Sequence, residues 1–215
     1  MLTKNTIFIA LAFAVVGLAQ SVRPDYVLDL TALPRFGTEM DPTSGSGGAL
    51  SGTKVVLPVT LRLVGVDRTT YKRDEEVVFE VILTNAGQQD FIMPWSNDLG
   101  IVERGATPDH PAVTAHVSLV AFDADTDQHS VSMAGVTLFG TSNEPSSLKT
   151  LAPGQTALIR APGRIVIDSA SISRVTRTSA GLIAIRSSFT MATRPFRWAE
   201  TVYSENQLGV NISLR

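Results

Sequence analysis

The chain contains no cysteine among its 215 residues. Disulfide bonds are therefore excluded, and so are a cysteine nucleophile and the lipid-bearing cysteine that anchors bacterial lipoproteins. An exported domain of this size that lacks disulfides has to be stabilised by its hydrophobic core.

A hydrophobic run long enough to span a membrane, about 20 residues, is also missing. The apolar run Ile7–Val16 is shorter, and it lies between Lys4 and the small-residue segment Gly17–Ala19. This layout is typical of a secretory signal peptide at residues 1–19, cleaved after Ala19, with an uncleaved membrane anchor as the alternative. The sequence therefore predicts an exported protein, periplasmic or extracellular, that has no membrane span after cleavage.

Neither charge is in strong excess. Without Lys4 the chain carries 17 basic and 20 acidic residues, a net charge near −3, and no basic cluster is visible. This balance excludes the electrostatic footprint of a nucleic-acid-binding protein and gives no sign of binding to a membrane surface. The partner we expect is a protein or a polysaccharide, which the sequence does not identify.

Helical periodicity is absent from every window of ten or more residues after the signal, whereas strand signals are frequent. Leu57, Val59, Leu61 and Leu63 alternate with other residues as in a half-buried strand. Segment 77–84 is apolar on nearly both faces, which predicts a strand at the centre of its sheet. Further predicted strands are 91–93, 113–123, 131–139, 155–161, 164–168, 181–190, 198–204 and 208–214.

Many short strands separated by turns that contain Gly and Pro predict an all-β fold. Their length and spacing favour an immunoglobulin-like antiparallel β-sandwich, which we place at residues 55–215. Residues 20–54 precede it as a flexible arm and a Gly/Ser-rich linker, the linker occupying 37–54. The arm, residues 20–36, either docks on the domain or is a loose terminus.

Two segments carry a resemblance to known domains. Tyr71–Gly87 has a tyrosine, a polar turn and a strand closed by Thr-Asn, and it resembles the opening hairpin of secreted bacterial immunoglobulin-like domains. Leu151–Gln155 is similar to the Leu-x-Pro-Gly-Gln/Glu turn before a late strand of such domains, and its Pro-Gly pair suits a type II turn. The bacterial intracellular proteinase inhibitor family is similar in both places, which implies inhibition of a protease. The chain departs from that family by a long insertion between Pro94 and Val113 and by its signal peptide.

Residues that could carry catalysis are sparse. His110, His116 and His129 are not spaced as metal ligands, and we interpret them as solvated surface histidines. Ser44–Gly48 approaches a nucleophile elbow in composition only, and Glu75-Glu76 is typical of a solvated turn. We therefore predict no catalytic, cofactor-binding or metal-binding residue and no cofactor. A hydrolase with a dispersed Ser/His/Asp site is the alternative.

The sharpest cluster of carboxylates is Asp123-Ala124-Asp125-Thr126-Asp127. Calcium prefers six or more oxygen ligands, and alternating aspartates in a loop can supply several. The sixth and twelfth positions of a calcium-binding EF-hand loop would be Gln128 and Ala134, which lack the required Gly and acid. The segment is therefore interpreted as a solvated hairpin tip, with an irregular calcium site as the alternative.

Trp95 and Trp198 are candidates for binding, because tryptophan at loop positions is a common anchor of binding sites. Apolar neighbours favour the other interpretation, a cap over the sandwich core. The function predicted from the sequence is a secreted, non-enzymatic module that binds another macromolecule or acts in an envelope assembly. An inhibitor of a secreted protease, with segment 96–112 as its protruding loop, and a hydrolase are the alternatives.

Overall fold

The computed structural model describes residues 23–31, 55–126, 130–193, 197–198 and 201–213, and of residues 193, 197 and 198 only the backbone. The predicted signal peptide and linker lie outside these residues. The described chain is all-β, as predicted, with two main sheets and one two-stranded sheet. The strands are β1 (Tyr26–Asp29), β2 (Val59–Val66), β3 (Thr70–Lys72), β4 (Glu76–Asn85), β5 (Phe91–Pro94), β6 (Val113–Phe122), β7 (Ser130–Gly140), β8 (Leu148–Leu151), β9 (Thr156–Arg164), β10 (Ile183–Thr193), β11 (Arg197–Trp198), β12 (Val202–Tyr203) and β13 (Leu208–Ser213).

The first sheet has the strand order β1-β9-β4-β2. Strand β4 has a partner on each side, which confirms the central position predicted for segment 77–84. Its antiparallel register places Val81 opposite Ile159 on β9 and Leu83 opposite Leu61 on β2. All four side chains are buried in the core.

The second sheet has the order β3-β13-β10-β6-β7, and β11 and β12 also pair with β10. Strand β3 joins β13 in parallel, as β1 joins β9 in the first sheet. The prediction of a purely antiparallel sandwich was therefore wrong at these two edges. Parallel neighbours need a long crossover connection, and here more than a hundred residues separate the members of each pair.

The core lies between the inward faces of the two sheets. Its largest fully buried side chains come from both of them and from the loops that join them. The sheets approach each other closely where β9 meets β7, since a Cβ atom added at Gly163 would lie 2.8 Å from that of Ala134. A glycine at this position lets the two backbones approach. Fully buried core residues include Leu30, Tyr71, Phe79, Leu83, Leu119, Met133, Leu138, Leu151 and Phe189.

The arm before the linker belongs to the first sheet. Strand β1 pairs with β9, and Leu30 just after it is completely buried. The carboxylate of Asp25 accepts hydrogen bonds from the backbone N–H and the hydroxyl of Thr156, at 2.7 and 3.0 Å. Of the two alternatives for the arm, the structure therefore has the docked one, and a strand of the domain lies before residue 55.

Three predicted strands differ in detail. The first begins at Val59 rather than at residue 55. Segment 164–168 is irregular beyond Arg164, because the N–H groups of Ile165 and Val166 donate to Glu75 and Met133 in different parts of the fold. Segment 198–204 contains the short strands β11 and β12 instead of one continuous strand.

Two short helices interrupt the strands: α1 (Gly100–Gly105) and α2 (Ser169–Ile172). The Asp168 carboxylate caps α2 by accepting a hydrogen bond from the Ser171 N–H. In the part of the chain described, no helix has the length and apolar character needed to cross a membrane.

The predicted turn at Leu151–Gln155 is confirmed. Gly154 has a φ of +81°, and the Gln155 N–H donates to the Ala152 carbonyl at 3.0 Å. A positive φ at the third position is what a type II turn requires, and glycine adopts it without strain.

Candidate binding face

The side of β6 and β10 that is turned away from the core forms what we call the outer face. Successive side chains of a strand point to opposite faces, so the even-numbered residues of both strands share it. Their register fixes the neighbours: Arg186 lies opposite Val120, Ser188 opposite Ser118, and Thr190 opposite His116. The face also includes Phe122 and Ala184 at one end of the two strands, and Tyr203 of β12.

Tyr203 spans the outer face. It pairs with Ser188 on β10, yet its ring packs edge-on against Phe122, with centroids 4.9 Å apart. Its hydroxyl lies 3.1 Å from the Ser130 Oγ on β7, two strands beyond β10. The side chain of Tyr203 therefore links β12 to β6 and β7 across the outer face.

The centre of the outer face is shielded from water. Ser118 is only 2% exposed, and its Oγ lies 2.6 Å from that of Ser188. Alternation along β6 places Ser118 on the outward side of the sheet, yet its side chain is buried. These two hydroxyls are excluded from water and satisfy each other.

His116 lies beside this hydroxyl pair. Its ring occupies the space above Gly135 of β7, where an added Cβ would be 2.6 Å from Nε2. Its Nδ1 lies 3.3 Å from the Thr137 Oγ1. The side chain of His116 is half-buried rather than solvated. Position 135 is a glycine without a side chain, so the imidazole can pack directly against the backbone of the sheet.

Strands β6 and β10 separate at one end, and a short segment after α2 fills the fork. The Thr176 N–H donates to the Phe122 carbonyl at 2.7 Å, and the Ala184 N–H donates to the Thr176 carbonyl at 3.0 Å. Val175 forms a bridge with Asp123 in the same region. The backbone of Thr176 therefore substitutes for the lost pairing between Phe122 and Ala184.

A cavity of about 140 Å³ opens on the outer face at this fork, and we call it the fork cavity. Phe122, Thr176, Ala184, Arg186 and Gln207 line it. The guanidinium carbon of Arg186 lies 5.2 Å from the Phe122 ring centroid, a cation–π contact. The Thr176 Oγ1 is buried and has no hydrogen-bond partner among the described residues.

This lining can bind but offers little for catalysis. It combines one aromatic ring, one guanidinium, one amide and one hydroxyl, which is the mixture that orients polar ligands. None of its five residues is a carboxylate or a histidine. Over the described residues, moreover, no three His, Cys, Asp or Glu side chains lie close enough to hold a metal ion.

The other histidines and the aspartate loop lie apart from this lining. His110 is exposed and its Nδ1 lies 2.8 Å from the Ser142 Oγ. In the loop, the Asp123 carboxylate accepts a hydrogen bond from the Asp125 N–H at 2.9 Å. That bond is typical of an aspartate turn. Asp127 and His129 lie outside the described residues, as does Ser44–Gly48.

Trp95 and the glutamate pair have structural contacts. Trp95 is half-buried and packs against the core, as the core-cap interpretation predicts, with the Lys149 Nζ 5.7 Å from its ring centroid. Glu75 forms an ion pair with Arg68 and accepts a hydrogen bond from the Lys72 N–H, so it stabilises the turn before β4. The backbone of Trp198 lies in β11, and its side chain is outside the description.

Segment 96–112, the rigid protruding loop expected of an inhibitor, has several contacts with the domain. Ile101 of α1 is buried, and the Asn143 side chain donates to the Gly105 carbonyl at 2.6 Å. Arg104 forms ion pairs with Asp98 and Glu144, at 3.1 and 3.7 Å. These contacts restrain the segment, and its role as an inhibitory loop stays a prediction.

The sequence gives only a faint sign of the residues around the fork cavity. Phe122 is in phase with His116 and Ser118, so an aromatic residue at the end of a polar face was the signal available. Arg186, Tyr203 and Thr176 come from distant parts of the chain, and only the folded sheet brings them together.

Comparisons with known proteins identify no close relative: no protein-family model and no curated protein matches the sequence. The structure is similar to that of the sporulation control protein Spo0M from Bacillus subtilis, with a TM-score of 0.32 and 12% identity over 72% of this chain and 49% of that one. The chain thus spans about half of Spo0M.

Two further structures are similar to the same degree. One is AvmM, described as catalysing macrocyclization in alchivemycin A biosynthesis, with a TM-score of 0.31 and 10% identity over 74% of this chain and 93% of that one. The other is the Pseudomonas fluorescens alkylpurine DNA glycosylase AlkC bound to DNA, with a TM-score of 0.27 and 10% identity over 71% and 31% of the two chains. Likeness at this level assigns no activity to the chain.

Proposed function

We propose that the protein is an exported, non-enzymatic, immunoglobulin-like β-sandwich module that binds a polysaccharide through its outer face. The observation that carries the proposal is the outer face, where Tyr203 and Phe122 form an aromatic pair beside the fork cavity. Export is supported by the signal-peptide layout of residues 1–19, and cleavage would leave Gln20 as the first residue.

Strand order supports the immunoglobulin-like part of the proposal. The order β2-β4-β9 corresponds to strands A, B and E of that architecture, and β13-β10-β6-β7 corresponds to G, F, C and C′. Strand β1 occupies the edge position beside β9 that strand D has in that architecture. The edge strands are the part of the fold that departs from a purely antiparallel arrangement.

The chemistry of the outer face favours a polysaccharide over a protein partner. The central part of a protein–protein interface is usually apolar, whereas this face offers the guanidinium of Arg186 and the amide of Gln207 beside one aromatic pair. Thr190 and Thr201, with their Oγ1 atoms 2.8 Å apart, add partly buried hydroxyls farther along the sheet. Tyrosine and phenylalanine rings can pack against the apolar side of a sugar ring, while hydroxyl and amide groups bind its hydroxyls.

The non-enzymatic part of the proposal rests on what lines the fork cavity. Nucleophilic catalysis needs a nucleophile positioned beside a base, and glycoside cleavage usually needs two carboxylates. Of the described residues that line the cavity, only Thr176 carries a hydroxyl, and none is a histidine or a carboxylate.

A binding screen tests this function. The purified protein is titrated against a panel of neutral and acidic polysaccharides, and Tyr203→Ala is compared with Tyr26→Ala, the same change on the first sheet. We expect at least one polysaccharide to bind, Tyr203→Ala to weaken it at least tenfold, about 1.4 kcal/mol, and Tyr26→Ala to leave it unchanged. Thermal melts verify that both variants are folded. Absence of binding to the whole panel, or equal effects of the two variants, would refute the proposal.

A further inference from the structure

Arg186 is a cation without a carboxylate partner among the described residues. The ion pairs there involve Arg68, Arg73, Arg104 and Arg160, each with Asp or Glu. Arg186 instead contacts the Phe122 ring, a contact that orients the guanidinium but supplies no counter-charge. The residue is half-buried on the outer face, so its charge is concentrated at the wall of the fork cavity.

The surroundings of Arg186 suit an anion. Among the described residues no acidic side chain lines the cavity, and the exposed amide of Gln207 can donate a hydrogen bond to a ligand oxygen. The Thr176 Oγ1 is buried, so this hydroxyl shapes the wall of the cavity and does not contact a ligand.

The size of the cavity limits what can enter. The cavity has a volume of about 140 Å³, enough for a small polar group but not for a whole chain of sugars. It admits a carboxylate and the edge of one sugar ring, while the rest of a chain would lie on the outer face beside Phe122 and Tyr203. Arginine is the side chain best matched to a carboxylate, since its planar fork of donors binds both oxygens.

We propose that the fork cavity binds the carboxylate of an acidic sugar, a uronic acid unit of the polysaccharide, through Arg186. This inference rests on the proposed function and specifies its ligand. The amide of Gln207 supplies a hydrogen bond that orients the carboxylate, and Phe122 holds the guanidinium in place.

Calorimetric titration with an oligogalacturonate and with its fully methyl-esterified form tests the inference. We expect the acid form to bind at least tenfold more tightly than the ester, and Arg186→Gln to remove this preference. Arg186→Lys keeps the positive charge but loses the planar guanidinium that binds both carboxylate oxygens, so this variant should retain part of the preference. The matched control is Arg62→Gln, which removes one exposed cation from β2 of the first sheet and should retain the full preference.

The outcomes separate this inference from the proposed function. If acid and ester bind equally, or if Arg186→Gln keeps the preference, the inference is overturned while the polysaccharide function stands. If no saccharide of either kind binds, the function itself fails. A hexaglutamate peptide that binds at Arg186 as tightly as the oligogalacturonate would also overturn the inference, because the site would then recognise carboxylates without regard to the sugar.

Discussion

The side-chain amide of Asn206 pairs with both backbone groups of Leu63, donating from Nδ2 to the carbonyl at 2.7 Å and accepting from the N–H at Oδ1 at 2.9 Å. The N–H of Glu205 donates to the Leu61 carbonyl at 3.2 Å. Strand β12 belongs to the second sheet, and the loop that follows it thereby covers the free edge of strand β2 in the first sheet. An open strand edge invites pairing with other chains, so this amide both joins the sheets and protects an edge.

Replacement of Asn206 by alanine should destabilise the protein by about 2–3 kcal/mol, because two hydrogen bonds are lost and two half-buried backbone groups lose their partners. Urea unfolding at neutral pH measures the change. The control is Glu205→Ala, which keeps its backbone bond and removes only an exposed side chain. Equal stability of the two variants would contradict this role of Asn206.

Tyr71 and Asp67 should give the protein a distinct pH dependence. The buried hydroxyl of Tyr71 donates to the Asp67 carboxylate at 2.9 Å and accepts from the Arg68 N–H at 3.0 Å. Burial, together with the bond to Asp67, raises the pKa of Tyr71 to about 12. Burial also acts to raise the pKa of Asp67, but hydrogen bonds from Val78, Tyr71 and Arg68 outweigh it and keep that pKa below its usual value.

The sign of each effect follows from the protonation state that the fold favours. The fold favours neutral Tyr71, so this contribution is present below about pH 10, where a free tyrosine ionises, and is lost as the pH rises toward 12. It favours ionised Asp67, so that contribution is lost in acid, as the pH falls through the lowered pKa.

Tyr71→Phe should lower stability at pH 8 by about 1–2 kcal/mol, because the Asp67 carboxylate and the Arg68 N–H each lose a partner. It should also flatten the decline of the unfolding free energy between pH 10 and 12. Urea titrations at several alkaline pH values measure both effects. Parallel pH profiles of the variant and the wild type would show that Tyr71 does not carry this alkaline dependence.

Gly135→Ala should disturb the outer face. The added Cβ would lie 2.6 Å from the Nε2 of His116 and 2.9 Å from the Cβ of Ser118, so the imidazole ring of His116 has to move away from position 135. We expect a loss of about 1–3 kcal/mol and a shift of the His116 ring resonances. Gly65→Ala is the control, since nothing lies within 4 Å of its added Cβ. Unchanged His116 resonances in Gly135→Ala would contradict the predicted displacement.

Calcium should leave the melting temperature unchanged, because the Asp123 carboxylate is engaged in its own turn. Differential scanning calorimetry with excess calcium and with a chelator measures this. A rise of several degrees in calcium that Asp125→Asn abolishes would identify an irregular calcium site in the loop.

Local chemistry made part of the fold predictable from the sequence. The Pro153-Gly154 pair specified its turn, and the unbroken apolar run of β4 indicated a central strand. The parallel edges β1 and β3 were not predictable, because pairing between segments more than a hundred residues apart depends on how the sheets close. The burial of Ser118 was missed for a related reason: alternation along a strand does not reveal that Tyr203 crosses over it.

The candidate site was harder to predict from the sequence than the fold. Arg186 and Thr176 carry no sequence pattern of their own, and their proximity results from the fork between β6 and β10. In segment 96–112, periodicity gave no sign that Ile101 would be buried. In each case the deciding contact is tertiary, whereas the sequence signal is local.

Amide shift mapping of the isotopically labelled protein with its best polysaccharide ligand tests the central claim most directly. The account predicts that the perturbed amides cluster at Phe122, Thr176, Ala184, Arg186 and Gln207, with little change at β1 and in segment 96–112. Perturbations centred on β1 or on segment 96–112, with those around the fork cavity unchanged, would contradict it.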